Sequence, residues 1–320
     1  MGLRNEKINY VTIFLFIFPI LTSIGFYGYG KDFIKSYYNN PISWDINYSL
    51  GWNIAGTMIS RFALGPLINS ILIPLGVYLL IIKNLKPLNQ SQNSLVLFSL
   101  ISLSHSWIVI LPILNAIKQG LVTGPFYLIL YSLDYLREKN KSYSIIFLLI
   151  VSLFSMNLLH KLGLIFSLIF TTSFLTLLVK KTQRKFFMIA ASLILIFVLN
   201  IFYAGQDINS RIIGLDIRGI LIVISSIYLL IILFFNKFEF INKYLFLATF
   251  YMNIISLALL RIGFIWEFER LQMTVLLPQI IAILSILKGS NIRFLLLTLL
   301  STVLLILTLW AGIYASFEAI

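Results

Sequence analysis

Apolar runs recur along nearly the whole chain, broken only by short polar segments. A helix rises ~1.5 Å per residue, so about 17–25 apolar residues are needed to cross a hydrocarbon core. Runs near that length fall at 10–29, 62–82, 95–114, 119–134, 144–159, 162–179, 186–203, 219–235, 244–261, 271–287 and 294–315. The pattern predicts an all-α, polytopic transmembrane helical bundle of about eleven spans, with short interfacial helices in the outer loops. Residues 1–320 are expected to form a single integral membrane domain. The runs at 144–159 and 162–179 are parted only by His160-Lys161, with Gly163 as the nearest turn signal. The first run follows Arg4 and Lys7 as a signal peptide would. It lacks a small-residue cleavage site and is expected to be a retained helix.

Composition supports this reading. Hydrophobic residues make up 60% of the 320 and charged residues 11%, against about 25% charged in a soluble domain. A net charge of +13 would suggest nucleic acid in a soluble protein. Here the basic residues stand in small groups between apolar runs, the pattern of topology signals, so no nucleic-acid partner is expected. There is no cysteine, which excludes disulfides, thiolate metal sites and a cysteine nucleophile.

With the N-terminus cytoplasmic, the inner loops carry Lys83/Lys86, Arg137/Lys139/Lys141, Lys180/Lys181/Arg184/Lys185, Lys237/Lys243 and Lys288/Arg293. The outer side mixes Arg61, Arg211, Arg218, Arg261 and Arg270 with carboxylates and aromatics. Lysines suit orientation, whereas the flat guanidinium fork suits phosphate. The two longest outer loops, 30–61 and 204–218, lie on the same side. The site is therefore expected on the extracytoplasmic face.

Five groups on that side carry candidate chemistry. Loop 30–61 offers Trp44, Asp45, Tyr48 and Trp52. Its rings and carboxylates suit a carbohydrate, or equally an aromatic belt. Lys118-Gln119-Gly120 opens a span, placing an ammonium where it could hold phosphate or snorkel to the headgroups. His160 lies in a tight outer turn beside Lys161, a setting that favours the neutral imidazole of a general base. His105, mid-span in Ser104-His105-Ser106, reads more readily as a hydrogen-bonded structural residue. Arg211 and Arg218 are seven apart and share a face if their loop is helical. There they could grip a pyrophosphate, or Arg211 could pair with Asp207 four residues before it. Finally, Arg261, Glu267, Glu269 and Arg270 crowd a short turn at the bilayer boundary, where unpaired ions are costly, so they pair or meet a ligand.

Metal-ligand motifs, phosphate-cradling glycine loops and the serine elbow of hydrolases are absent from the sequence, so neither metal nor cofactor is expected.

Lys118-Gln119-Gly120 opening a span, the basic loop after it and His160 some forty positions later resemble the Wzy/EpsG-like bacterial polysaccharide polymerases. The Arg261 to Arg270 turn and the aromatic loop with Asp45 and Tyr48 are similar to that family's outer features. Lys118 stands where the family has arginine. The resemblance implies a metal-independent glycosyltransferase of the O-antigen or capsule pathway. It would take a glycan from undecaprenyl pyrophosphate and join it to the next lipid-linked repeat unit. His160, Glu267 and Glu269 are then the candidate catalytic residues. Arg211, Arg218, Arg261, Arg270, Lys118, Gln119, Asp45 and Tyr48 are the candidates for binding substrate. The implied setting is the bacterial inner membrane, with membrane lipid, undecaprenyl-pyrophosphate-linked oligosaccharides and a chain-length regulator or flippase as partners.

Three rivals stay open. A lipid-linked oligosaccharide flippase would place basic residues deep in several spans, whereas these spans are nearly free of charge. A polyprenyl-phosphate-sugar-dependent glycosyltransferase would use a first-loop carboxylate, for which Asp45 could serve. A membrane acyltransferase could take His160 or His105 as base.

Overall fold

The computed structural model describes residues 64–114, 117–159, 162–203, 243–262, 265–287 and 291–310. Regular structure among them is entirely helical: α1 (Leu64–Leu85), α2 (Gln90–Ser104), α3 (Trp107–Leu114), α4 (Ile117–Glu138), α5 (Ser142–Leu159), α6 (Leu162–Leu178), a 3-10 turn (Lys181–Gln183), α7 (Arg184–Tyr203), α8 (Tyr244–Arg261), α9 (Ile265–Ile286) and α10 (Ile292–Trp310). The expected runs at 10–29 and 219–235 lie outside the described residues.

Four stretches are long and apolar enough to cross a bilayer: Gly65–Leu85, Lys181–Ile201, Tyr244–Arg261 and Ile292–Trp310. The bent pair α2–α3 makes a fifth if counted as one crossing. The described residues therefore support four to five crossings by length and composition, and not the expected count of about eleven. Ser142–Met156, Leu162–Leu178 and Arg270–Ile286 are apolar but shorter. Helix α4 is not among these stretches; its charged residues Lys118, Asp134, Arg137 and Glu138 lie towards its two ends.

Side-chain contacts fix the helix directions. Gly76 of α1 meets Tyr127 of α4, and Gly124 of α4 meets Leu72 of α1. Near the other end Lys83 pairs with Glu138 at 3.3 Å. Helices α1 and α4 thus run parallel, so α2–α3 between them must return across the bundle. Asp134 near the end of α4 accepts from the backbone N–H groups of Tyr244 (2.7 Å) and Leu245 (3.2 Å), so α8 starts where α4 finishes. Helix α9 runs alongside α4, with Thr274 bonded to Thr123 and Tyr127. Helix α10 follows α2–α3: Asn291 meets Gln92, Thr298 meets Ser99, and Thr308 accepts from the N–H of Trp107. Lys83, Lys86, Glu138, Lys243 and Arg293 accordingly gather at one end of the bundle, as the alternation of basic loops along the chain anticipates.

The run 95–114 is one apolar stretch in sequence but two helices in space, bent by 50° at His105-Ser106. Serine and histidine side chains compete for helix carbonyls, and here they do so in a row. Ser104 and Ser106 donate to the carbonyls of Ile101 and Leu103, both at 2.6 Å, while His105 Nδ1 lies 3.0 Å from the Ile101 carbonyl oxygen. The Trp107 N–H, the first of the new helix, finds Thr308 Oγ1 at 2.9 Å. The break is thus supplied with partners, which a bilayer interior requires. His105 is hydrogen-bonded at this bend.

The split at His160-Lys161 holds: α5 ends at Leu159, α6 begins at Leu162, and the two pack along each other. Burial runs as it must in lipid. Phe147, Phe154, Phe186, Phe197 and Trp310 are exposed, while Asn69, Gln119, Thr123, Gln272 and Gln279 are buried.

Candidate functional site

The start of α4 and the start of α9 lie side by side at the end of the bundle opposite Lys83. Gln119, 1% exposed, donates from Nε2 to the backbone carbonyl of Arg270 at 2.6 Å. One turn further in, Thr123 and Thr274 share a hydrogen bond of 3.0 Å, and the Tyr127 hydroxyl donates to the Thr274 carbonyl at 3.0 Å. This ladder locks the first three turns of α4 to α9. It sets the first turn of α4, which includes Lys118, beside the start of α9, which includes Glu267, Glu269 and Arg270.

Gly120 shows why the junction closes so tightly. A methyl on its Cα would overlap the Pro112 carbonyl oxygen and the Asn69 side-chain amide. Asn69 Nδ2 itself donates to that carbonyl at 3.1 Å, tying α1 to α3 beneath the same point. Gly120 and Gly124 form a G-x-x-x-G spacing, and a methyl at Gly124 would come within 2.7 Å of the Leu72 Cβ. Small residues four apart let two membrane helices approach closely. Sequence reading overlooked this spacing.

Arg270 is half-buried, and its backbone carbonyl also receives Thr274 Oγ1 at 3.4 Å. Arg261 is exposed and ends α8, two residues before the connection to α9. Of Lys118, Glu267 and Glu269 only the backbone is described: Lys118 lies in the first turn of α4, and Glu267 is the third residue of α9. Carboxylates near a helix start are favoured by its partial positive charge. Asp45, Tyr48, His160, Arg211 and Arg218 lie outside the described residues. The structure thus brings together Gln119 and Arg270, with the helix starts that bear Lys118, Glu267 and Glu269.

Two buried amides further along α9 had no counterpart in the sequence reading. Gln272 and Gln279, seven apart on α9, are 1% and 0% exposed, and their side-chain amides meet no protein partner. The Gln119 Oε1 is likewise without one. Their only sequence signal was a glutamine two turns from another within an apolar run.

Chemically, parallel helices α4 and α9 present their N-terminal ends to the same side, each worth about half a positive charge. Arg270 and Lys118 add to this positive charge, while Glu267 and Glu269 at the start of α9 offset it, so the end carries mixed charge, with the arginine as its group for a phosphate. No family, curated protein or solved structure matches the chain.

Proposed function

We propose that the protein is a polysaccharide polymerase of the O-antigen or capsule type, a metal-independent glycosyltransferase with about eleven spans in a bacterial inner membrane. The observation that supports it best is the Gln119 to Arg270 hydrogen bond, which joins two segments 151 residues apart that the family resemblance had singled out separately. In this reading the extracytoplasmic end holds undecaprenyl pyrophosphate against Arg211, Arg218, Arg261, Arg270 and Lys118. Asp45 and Tyr48 contact the sugar.

The acceptor hydroxyl oxygen of the next lipid-linked unit attacks the anomeric carbon, and the bond from that carbon to the pyrophosphate oxygen breaks. His160, or else Glu267 or Glu269, takes the hydroxyl proton. The pyrophosphate leaves with the bonding electrons, its growing charge met by guanidinium groups and helix N-termini. Gln119 positions Arg270 by holding its backbone.

The test is gel analysis of surface glycan from cells with and without the gene. A polymerase predicts loss of the long ladder with a single repeat unit retained on the lipid. Loss of even that unit would assign the protein to flipping or earlier assembly, and an unchanged ladder would overturn the reading.

A further inference from the structure

Arg293, the second residue of α10, is 8% exposed at the lysine-rich end of the bundle. Its guanidinium stacks near the Phe294 ring, 4.7 Å from the centroid. Among the described residues it has one long hydrogen bond, from Nη2 to the Lys86 carbonyl at 3.4 Å, and its Nε meets no partner. Among the described residues no carboxylate pairs with it, in contrast to Lys83, which pairs with Glu138. A guanidinium has five N–H donors and is costly to bury unmatched.

Its setting compounds the cost. A helix start is partially positive and disfavours a cation. Here two starts adjoin, since Gln92 in the first turn of α2 donates from Nε2 to Asn291 Oδ1 at 2.6 Å, just before α10. Asn89 caps α2 through the Gln92 N–H, and Lys86 adds a further cation nearby at a left-handed backbone position, φ 48°. A buried, under-bonded arginine between two helix N-termini is the complement of an anion with several acceptor oxygens.

We propose that Arg293 and the adjoining starts of α2 and α10 bind a phosphate group, carried by a membrane phospholipid or free in solution. The site is at the end of the bundle opposite Gln119 and Arg270, so it stands or falls independently of the proposed transferase activity.

Thermal unfolding of the purified full-length chain in detergent tests this. Three additions are compared: phosphatidylglycerol, a digalactosyl diacylglycerol of the same acyl chains but no phosphate, and inorganic phosphate against chloride at equal ionic strength. Phosphatidylglycerol or inorganic phosphate is expected to raise Tm by on the order of 5 °C, and the galactolipid to leave it in place. A shift with the phospholipid alone identifies a headgroup as the source; a shift with inorganic phosphate shows that the free ion suffices. Arg293→Gln abolishes the shift, and Arg293→Lys, which keeps the charge but loses the fork, at least halves it. The proposal is overturned if neither phosphate compound outperforms its control. It is equally overturned if the variants respond like the parent, and Arg293→Lys alone decides this where Arg293→Gln is not recovered folded.

Discussion

At Gly120 a single hydrogen in place of a methyl decides whether α4 can seat against α1 and α3. Gly120→Ala forces its Cβ onto the Pro112 backbone carbonyl, which cannot swing aside, and onto the buried Asn69 side-chain amide. It is expected to destabilise the protein by about 1–3 kcal/mol, read as a lowered Tm in detergent. Gln119→Leu keeps the volume but removes the Gln119 donor from the Arg270 carbonyl, which also receives Thr274. In the proposed reading it shortens the glycan ladder while the protein still reaches the membrane. A normal ladder would remove Arg270 positioning from the mechanism. Asp134 acts on a different end: Lys243 at the N-cap of α8 gives no side-chain acceptor, and the carboxylate from α4 takes that place. Asp134→Ala leaves two buried N–H groups unmet and is expected to cost about 2–4 kcal/mol, with Asp134→Asn costing less because one acceptor oxygen remains. Denaturation of the two variants side by side measures the difference.

Among the elements, apolar length located most helices well. The run 244–261 coincides with α8, and 62–82 with α1 apart from its edges. What length could not convey was the bend between α2 and α3, because hydropathy averages over the Ser-His-Ser triplet that supplies the competing hydrogen bonds. Thr308→Val is a direct test of the bend: it removes the acceptor for the buried Trp107 N–H. A loss of about 1–3 kcal/mol in thermal unfolding is expected, and none if the break is closed by Ser106 alone. The candidate site was legible as residue types, arginines and carboxylates beside a span-opening Lys-Gln-Gly. The meeting of Gln119 with Arg270 was not, since nothing in a single sequence relates positions so far apart.

For the whole molecule, the helix directions divide the chain into two ends. Lys83, Glu138, Lys243 and Arg293 lie at one; Gln119, Arg270 and the end of α8 lie at the other. A chain without cysteine lends itself to labelling single introduced thiols. Lys141→Cys and Lys86→Cys are expected to react with an impermeant maleimide from one side of sealed vesicles, and Arg261→Cys from the other. Reaction of all three from one side would refute the arrangement. The division also bears on how the protein is made. Synthesis proceeds from the N-terminus, so Asp134 enters the membrane 110 residues before Tyr244 exists to receive it. Until then its carboxylate has no α8 to cap, and the nascent bundle holds an acidic group at the depth where α4 ends. Arrival of α8 neutralises that fault. A chain made through α8 is therefore the first form in which this part of the bundle is at rest, and a ribosome stalled before Tyr244 would display an intermediate for quality control to recognise.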